Sequence, residues 1–388
     1  MVTEKLLPSG WVYMASVFLT GPADARQLRN RRMTAMYVFQ RRINFLKCKN
    51  IVIFAKRIAI YTFFMKFTRL VILMAGLTVC GQMHAQEDVV KLINEYGKFD
   101  TWCRREVKES GLIGGNIEHL YEFYGDTTEI HKTGKTPFSA PKDYLWRTNN
   151  VLAVVAGIVK TNNTVYPEKR GDGYCARLET HLEEVKVLGM INMDVTCQGA
   201  IMVGQLPEPI TTTKDPMSKV LYGFPFNKCP RAVRLDYKAD VCHEVIRGTG
   251  FSKLKPMGYV DHAEITVMLQ KRWEDEDGNV HALRVGTAIE RIEQDIPEWV
   301  NGHELVIGYG DITGKPYYKE YMGLKTNPDT AYRALNSKGE VVMIIEEGWA
   351  PEGTEPTHMM LHAISSCGEA FYGGLGNTLW LDNVEIVM

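Results

Sequence analysis

Val233-Arg234-Leu235-Asp236-Tyr237-Lys238 alternates apolar and charged side chains without a break, and Ile265-Thr266-Val267-Met268-Leu269-Gln270 repeats the period. A strand turns successive side chains to opposite faces, so a period of two marks a strand with one face on a core. Leu379, Leu381, Val384 and Ile386 mark a last strand of the same kind. Turn residues separate such stretches, as in Asp277-Gly278-Asn279, Ser337-Lys338-Gly339 and Gly373-Gly374-Leu375-Gly376. The Asp277-Gly278 step predicts a hairpin, because both residues tolerate positive φ. Helical periodicity is confined to residues 86–95, where Val89, Val90, Leu92 and Ile93 cluster on one side. No helix–strand alternation suggests a parallel sheet, so the expected fold is all-β, an antiparallel β-sandwich.

The 388 residues carry 45 basic and 46 acidic groups, but unevenly. Residues 1–85 hold 13 basic and two acidic side chains, leaving 32 basic against 44 acidic groups beyond them, a net charge of −12. An acidic body has no diffuse positive field for polyphosphate, which argues against nucleic acid and anionic lipid as partners. From Met65 the chain reads as a secretory signal: Lys66 and Arg69, an apolar run from Leu70 to Val79, and small residues ending at Ala85. That run is too short for a spanning helix, so no transmembrane span is expected after cleavage. The expected organisation is residues 1–64 as a misassigned upstream extension, 65–85 as signal peptide and 86–388 as one domain. Export to the periplasm, cell surface or medium follows. Cys80 approaches a lipoprotein box, but the bulky Val79 favours a cut before Gln86. Six cysteines remain (Cys103, Cys175, Cys197, Cys229, Cys242, Cys367), too scattered for a zinc knuckle and expected as buried free thiols.

Several separated segments carry a family resemblance. Ile93-Asn94-Glu95-Tyr96-Gly97-Lys98-Phe99-Asp100-Thr101-Trp102 resembles the opening strand of jelly-roll carbohydrate-binding modules, and Asn377-Thr378-Leu379-Trp380-Leu381-Asp382-Asn383-Val384-Glu385-Ile386 their closing strand. Tyr222 to Pro230 and Thr354 to Gly373 resemble the PCMD family, a carbohydrate-metabolism domain of Bacteroidetes secreted and surface proteins. The resemblance implies a jelly roll, of the galactose-binding or carbohydrate-binding-module type, that handles glycans. It also implies a structural calcium where first strand meets last, with Asp100 and Asp382 in the ligand positions; calcium suits such a place because it accepts oxygens at flexible geometry. No other cofactor is implied.

Catalytic templates are missing from the sequence: there is no GxSxG elbow, HExxH pair, Walker loop or dinucleotide fingerprint. His243-Glu244 and His303-Glu304 lack a second histidine four residues on, and Arg272 to Asn279 fails the EF-hand register. A sugar hydrolase needs two carboxyl groups facing across a cleft. Asp311, Glu346 and Glu347, beside strand ends and near aromatic residues, are the candidates if the protein is an enzyme. Glycan binding asks for less: aromatic faces for sugar C–H groups and a few polar partners for hydroxyls. Trp299, Trp349 and Tyr317, in polar turn-rich surroundings, are the candidate platforms, whereas Trp146 and Trp380 are expected in the core. The reading is an exported protein that binds an oligo- or polysaccharide. The alternatives are a glycoside hydrolase on the same sandwich and an adhesion module with a protein partner.

Overall fold

Val233, Leu235, Tyr237 and Ala239 are buried, and Arg234 and Lys238 between them face outward, half-buried. The alternation thus folds as its period requires. A computed structural model describes Arg41 and residues 89–123, 144–155, 157–187, 191–212, 216–250, 252–327, 331–366 and 368–388. The expected signal peptide with Cys80, the upstream extension apart from Arg41, and Cys367 lie outside the described residues. Residues Met83–Met388 make up one unit.

The strands that position the sites begin with β1 (Cys103–Lys108), β2 (Ile117–Glu122), β3 (Trp146–Thr148), β4 (Val165–Arg170) and β5 (Gly173–Glu179). Next come β6 (Ala200–Gln205), β7 (Ala232–Asp240), β8 (Ala263–Glu274), β9 (Val280–Ile292) and β10 (Ile296–Val306). The last are β11 (Val341–Trp349), β12 (His358–Ile364) and β13 (Thr378–Val387). One sheet has five strands in the order β10-β7-β13-β5-β4, all antiparallel. A larger sheet runs β6-β12-β8-β9-β11 through its centre, antiparallel except where β9 meets β11. Leu178, Leu235, Leu379 and Leu381 of the first sheet and Ile201, Ile265, Val267 and Leu361 of the second share one core cluster. The architecture is therefore an all-β sandwich, two sheets closing over a common apolar layer. The β8–β9 hairpin turns where expected, with Gly278 at φ +93° and its N–H donating to the Asp275 carbonyl.

The short helix expected over residues 86–95 is present, but the opening strand that the resemblance implies over Ile93 to Trp102 is not. Residues 89–96 are helical, 97–102 form no strand, and the first strand starts at Cys103. The cause is contact with the closing strand. Asn94 brackets the Ile386 backbone with both ends of its amide, at 3.2 and 2.7 Å, and the Val384 N–H donates to the Gly97 carbonyl at 2.8 Å. A side chain at position 97 would sit 2.1 Å from the Val384 carbonyl oxygen, so only glycine admits this approach. Chain ends do meet, but through a helix end. Cysteines also differ in part: Cys103 and Cys175 are buried, whereas the free thiols Cys229 and Cys242 are exposed. Among the described residues no helix is long and apolar enough to cross a membrane.

Candidate functional site

The outward face of the five-stranded sheet is where side chains with binding chemistry gather. Tyr166 of β4 is opposite Arg177 of β5, Arg177 is opposite Trp380 of β13, and Trp380 is opposite Lys238 of β7. Directly paired residues on antiparallel strands project to one face, so these four form a row across the sheet. Their contacts follow the register: the Arg177 guanidinium lies 4.8 Å from the Tyr166 ring centroid, and the Lys238 ammonium 4.2 Å from that of Trp380. Bulges between β7 and β10 shift the register at the row's end and leave Trp299 5.7 Å from the same ammonium. Aromatic and cationic groups thus alternate over five strands, roughly 20 Å at the usual strand spacing. Arg177 forms ion pairs with Glu179 at 3.3 Å and Glu168 at 3.7 Å, and Lys238 reaches Glu168 at 3.9 Å, so carboxylates share this face with the row.

Beside this row sits a tighter knot. Arg170 stacks on Trp299 with its guanidinium carbon 3.8 Å from the ring centroid. It also reaches Asp382 at 2.5 Å, Asp236 at 2.8 Å and Asn301 at 2.5 Å. Asp236 collects two further donors, the Gly302 N–H and the Asn383 amide. Burial pushes its acidity down, yet these donors and Arg170 hold the carboxyl below its usual range. For Asp382 burial prevails over Arg170, with the Asp100 charge adding to it, and its pKa is raised. Asp100 accepts the Tyr174 N–H at 3.1 Å and packs on Gly173. The two expected calcium ligands are thus neighbours, but Arg170 already fills the cation position at Asp382. The residues do not fit a calcium while that guanidinium is in place, and the described residues hold no cluster of three or more metal-ligating side chains.

The other expected residues are dispersed. Glu346 is buried in β11 against Arg284 of β9, with Nε–Oε1 at 2.6 Å and Nη2–Oε2 at 2.5 Å, and it also accepts from Gln270 and the Lys325 N–H. Burial pushes its pKa up, but the Arg284 charge and these bonds outweigh it and hold it low. Its oxygens are committed to structure. Glu347, next along the strand, faces the other way and meets His281 at 2.7 Å. Asp311 is exposed and caps its own turn through Thr313. Glu346 and Glu347, adjacent on one strand, thus point to opposite faces and do not face each other. Trp349 is half-buried at the end of β11, near Arg284, and Tyr317 is exposed beside a groove of about 340 Å³ lined by Ile289, Leu305 and Met322. Of the three candidate platforms only Trp299 joins the row.

Trp146 is core, with its indole N–H donating to the Ile93 carbonyl at 3.0 Å. Trp380 is not. It alternates with the fully buried Leu379 and Leu381, and that alternation places it on the opposite, outer face. Tyr166, Arg177, Lys238 and Trp380 were missed as site residues, although the charged places of the Val233–Lys238 alternation already pointed to the outer face.

No protein-family model and no curated protein matches the chain. Among solved structures it is similar to a "putative glycoside hydrolase" of Bacteroides thetaiotaomicron, 17% identical with a TM-score of 0.36 over 59% of this chain and 58% of that one. A second, a "putative glycoside hydrolase" of Bacteroides vulgatus, is 15% identical with a TM-score of 0.35 over 75% of this chain and 92% of that one. This chain thus spans little more than half of the first. Likeness at this level bears on neither activity nor substrate.

Proposed function

We propose that this protein is an exported glycan-binding protein, and that it lays an oligo- or polysaccharide chain across the outer face of the five-stranded sheet. The observation that carries the reading is the register-aligned row Tyr166–Arg177–Trp380–Lys238, continued by Trp299. Sugar rings are amphipathic, with C–H faces that stack on aromatic rings and hydroxyls that need polar partners. The row supplies both kinds of contact in alternation. Tyr166 and Trp380 stand two strands apart, which suits an extended chain touching every other ring. Arg177 and Lys238 between and beside them offer donors to hydroxyl or carboxylate oxygens. The resemblance of Asn377 to Ile386 to the closing strand of carbohydrate-binding modules agrees with this face, since Trp380 lies within that segment.

A glycan array probed with the purified protein, followed by Trp380→Ala on the best ligand, tests the reading. Binding that falls about 10- to 100-fold without loss of fold supports it, as for other aromatic anchors. An unchanged array profile in the variant refutes it.

A further inference from the structure

The buried face of the β1–β2 hairpin carries two opposite charges, Arg105 and Glu122, and the close ion pair of Arg105 is made elsewhere. Arg105 turns instead to Glu208, which follows β6, and makes a two-pronged ion pair at 3.0 and 2.9 Å with both side chains almost fully buried. Glu208 also accepts the Leu152 N–H at 2.9 Å. Arg105 and Glu208 therefore neutralise each other. Glu122, 4% exposed, receives among the described residues one side-chain hydrogen bond, from the Thr148 hydroxyl at 3.1 Å. Burial of a carboxyl group favours its protonated form. The groups that face it are Arg105 from β1, Arg147 and Thr148 from β3, and Glu208. Burial raises its pKa from 4.5 to about 8, against the Arg105 charge, with the Glu208 charge reinforcing it and the Thr148 hydrogen bond and the Arg147 charge opposing it more weakly.

Glu122, Arg147 and Glu208 all line one cavity of about 620 Å³. The rest of its wall is mixed: Tyr144, Thr148 and Gln205 on one hand, Leu145, Leu206 and Phe224 on the other. Arg147 donates to its neighbour's Trp146 carbonyl at 2.6 Å, and among the described residues no carboxylate forms an ion pair with it. Near neutral pH the cavity thus holds a guanidinium with no ion pair among the described residues, a carboxyl group that burial keeps protonated and able to donate a hydrogen bond, and an apolar wall.

We propose that this cavity is a second binding site, separate from the sheet row, for a small carboxylate-bearing polyol of the hexuronic acid class, its carboxylate held between Arg147 and the Glu122 carboxyl group. A guanidinium is suited to a carboxylate. A protonated acid completes the recognition, because its O–H donates where an ionised carboxylate would repel. The apolar wall takes the ring face, and the volume admits more than one sugar ring. The site does not rest on the sheet row, and either can fail alone.

Calorimetry of the full protein with glucuronate, galacturonate and glucose, at about pH 6 and about pH 9.5, tests this. At the lower pH at least one uronate should bind tenfold or more tighter than glucose. At the higher pH, with Glu122 ionised, uronate affinity should fall about tenfold or more. Glu122→Gln keeps a donor and removes the titration, so its affinity should be the same at both pH values; Arg147→Met should abolish uronate binding. Absence of uronate binding to the wild-type protein at both pH values, glucose bound as well as the uronates, or a pH response that persists in Glu122→Gln would overturn the proposal. Should Arg147→Met not fold, the ligand comparison and the Glu122→Gln pH series decide it.

Discussion

Lys238 stands directly across the β7–β13 ladder from Trp380, its ammonium nitrogen 4.2 Å from the centre of the indole. Neither residue is in the core, and a cation held over a ring on an open sheet face is worth only about 0.5–1 kcal/mol. Replacing Lys238 by Met should therefore change stability by less than about 1 kcal/mol while weakening glycan binding. Urea unfolding and affinity electrophoresis on the same variant separate the two effects. A loss of several kcal/mol would make the pair a structural one.

Arg170 ties β4 to β13 and β7 through Asp382 and Asp236 and covers Trp299. Arg170→Ala leaves two neighbouring, partly buried carboxylates without their cation, and should cost about 1–3 kcal/mol. Because the guanidinium fills the position a calcium would take, thermal melts of the wild-type protein in excess calcium and in chelator should coincide. An ion bound to the folded state alone would separate them by mass action, and such a separation would show that calcium displaces Arg170.

Arg284 and Glu346 are the most deeply buried charges of the large sheet. Removing one partner leaves the other as an isolated charge in a dry interior, so Glu346→Ala should destabilise by about 3–5 kcal/mol. Chemical denaturation measures it. A variant of near wild-type stability that loses an enzymatic activity would instead return Glu346 to the catalytic role its sequence position suggested.

Glu122 makes stability depend on pH. Its folded-state pKa of about 8 lies above the ordinary 4.5, so the native state binds the extra proton between those values. The contribution is fully present below about 4.5, declines as pH rises toward 8 and is absent above it. In Glu122→Gln that decline should vanish, and the variant should exceed the wild type by a few kcal/mol at about pH 9. Melting temperatures of both proteins across this range test the sign; parallel curves would contradict it.

Much of the fold was legible because it is local. The Val233–Lys238 and Ile265–Gln270 alternations state which side chains meet the core, and β7 and β8 follow them. Helix 89–96 was legible from the apolar cluster of residues 86–95, but the loop after it was harder, since what excludes a strand there is Val384, nearly 300 positions away, closing on Gly97. Site residues were less legible still. Glu346 and Glu347 look alike in sequence, and only the Arg284 partner on β9 marks one of them as structural. The row on the outer sheet joins β4, β5, β13 and β7, and no spacing within the chain reveals that register. Glu122 lacks Arg105 as a close ion-pair partner because Arg105 pairs with Glu208, some 100 residues away. Trp380 was readable: its place between two core leucines on a strand assigns it to the opposite face.

The most direct test of the central claim is the affinity of the wild-type protein and of Tyr166→Ala, Trp380→Ala and Trp299→Ala for the best array glycan, measured by calorimetry alongside thermal melts. If the row is the platform, Trp380→Ala and at least one of the others weaken binding by about 1–3 kcal/mol each with melting nearly unchanged. Three folded variants that bind as tightly as the wild type would contradict the account.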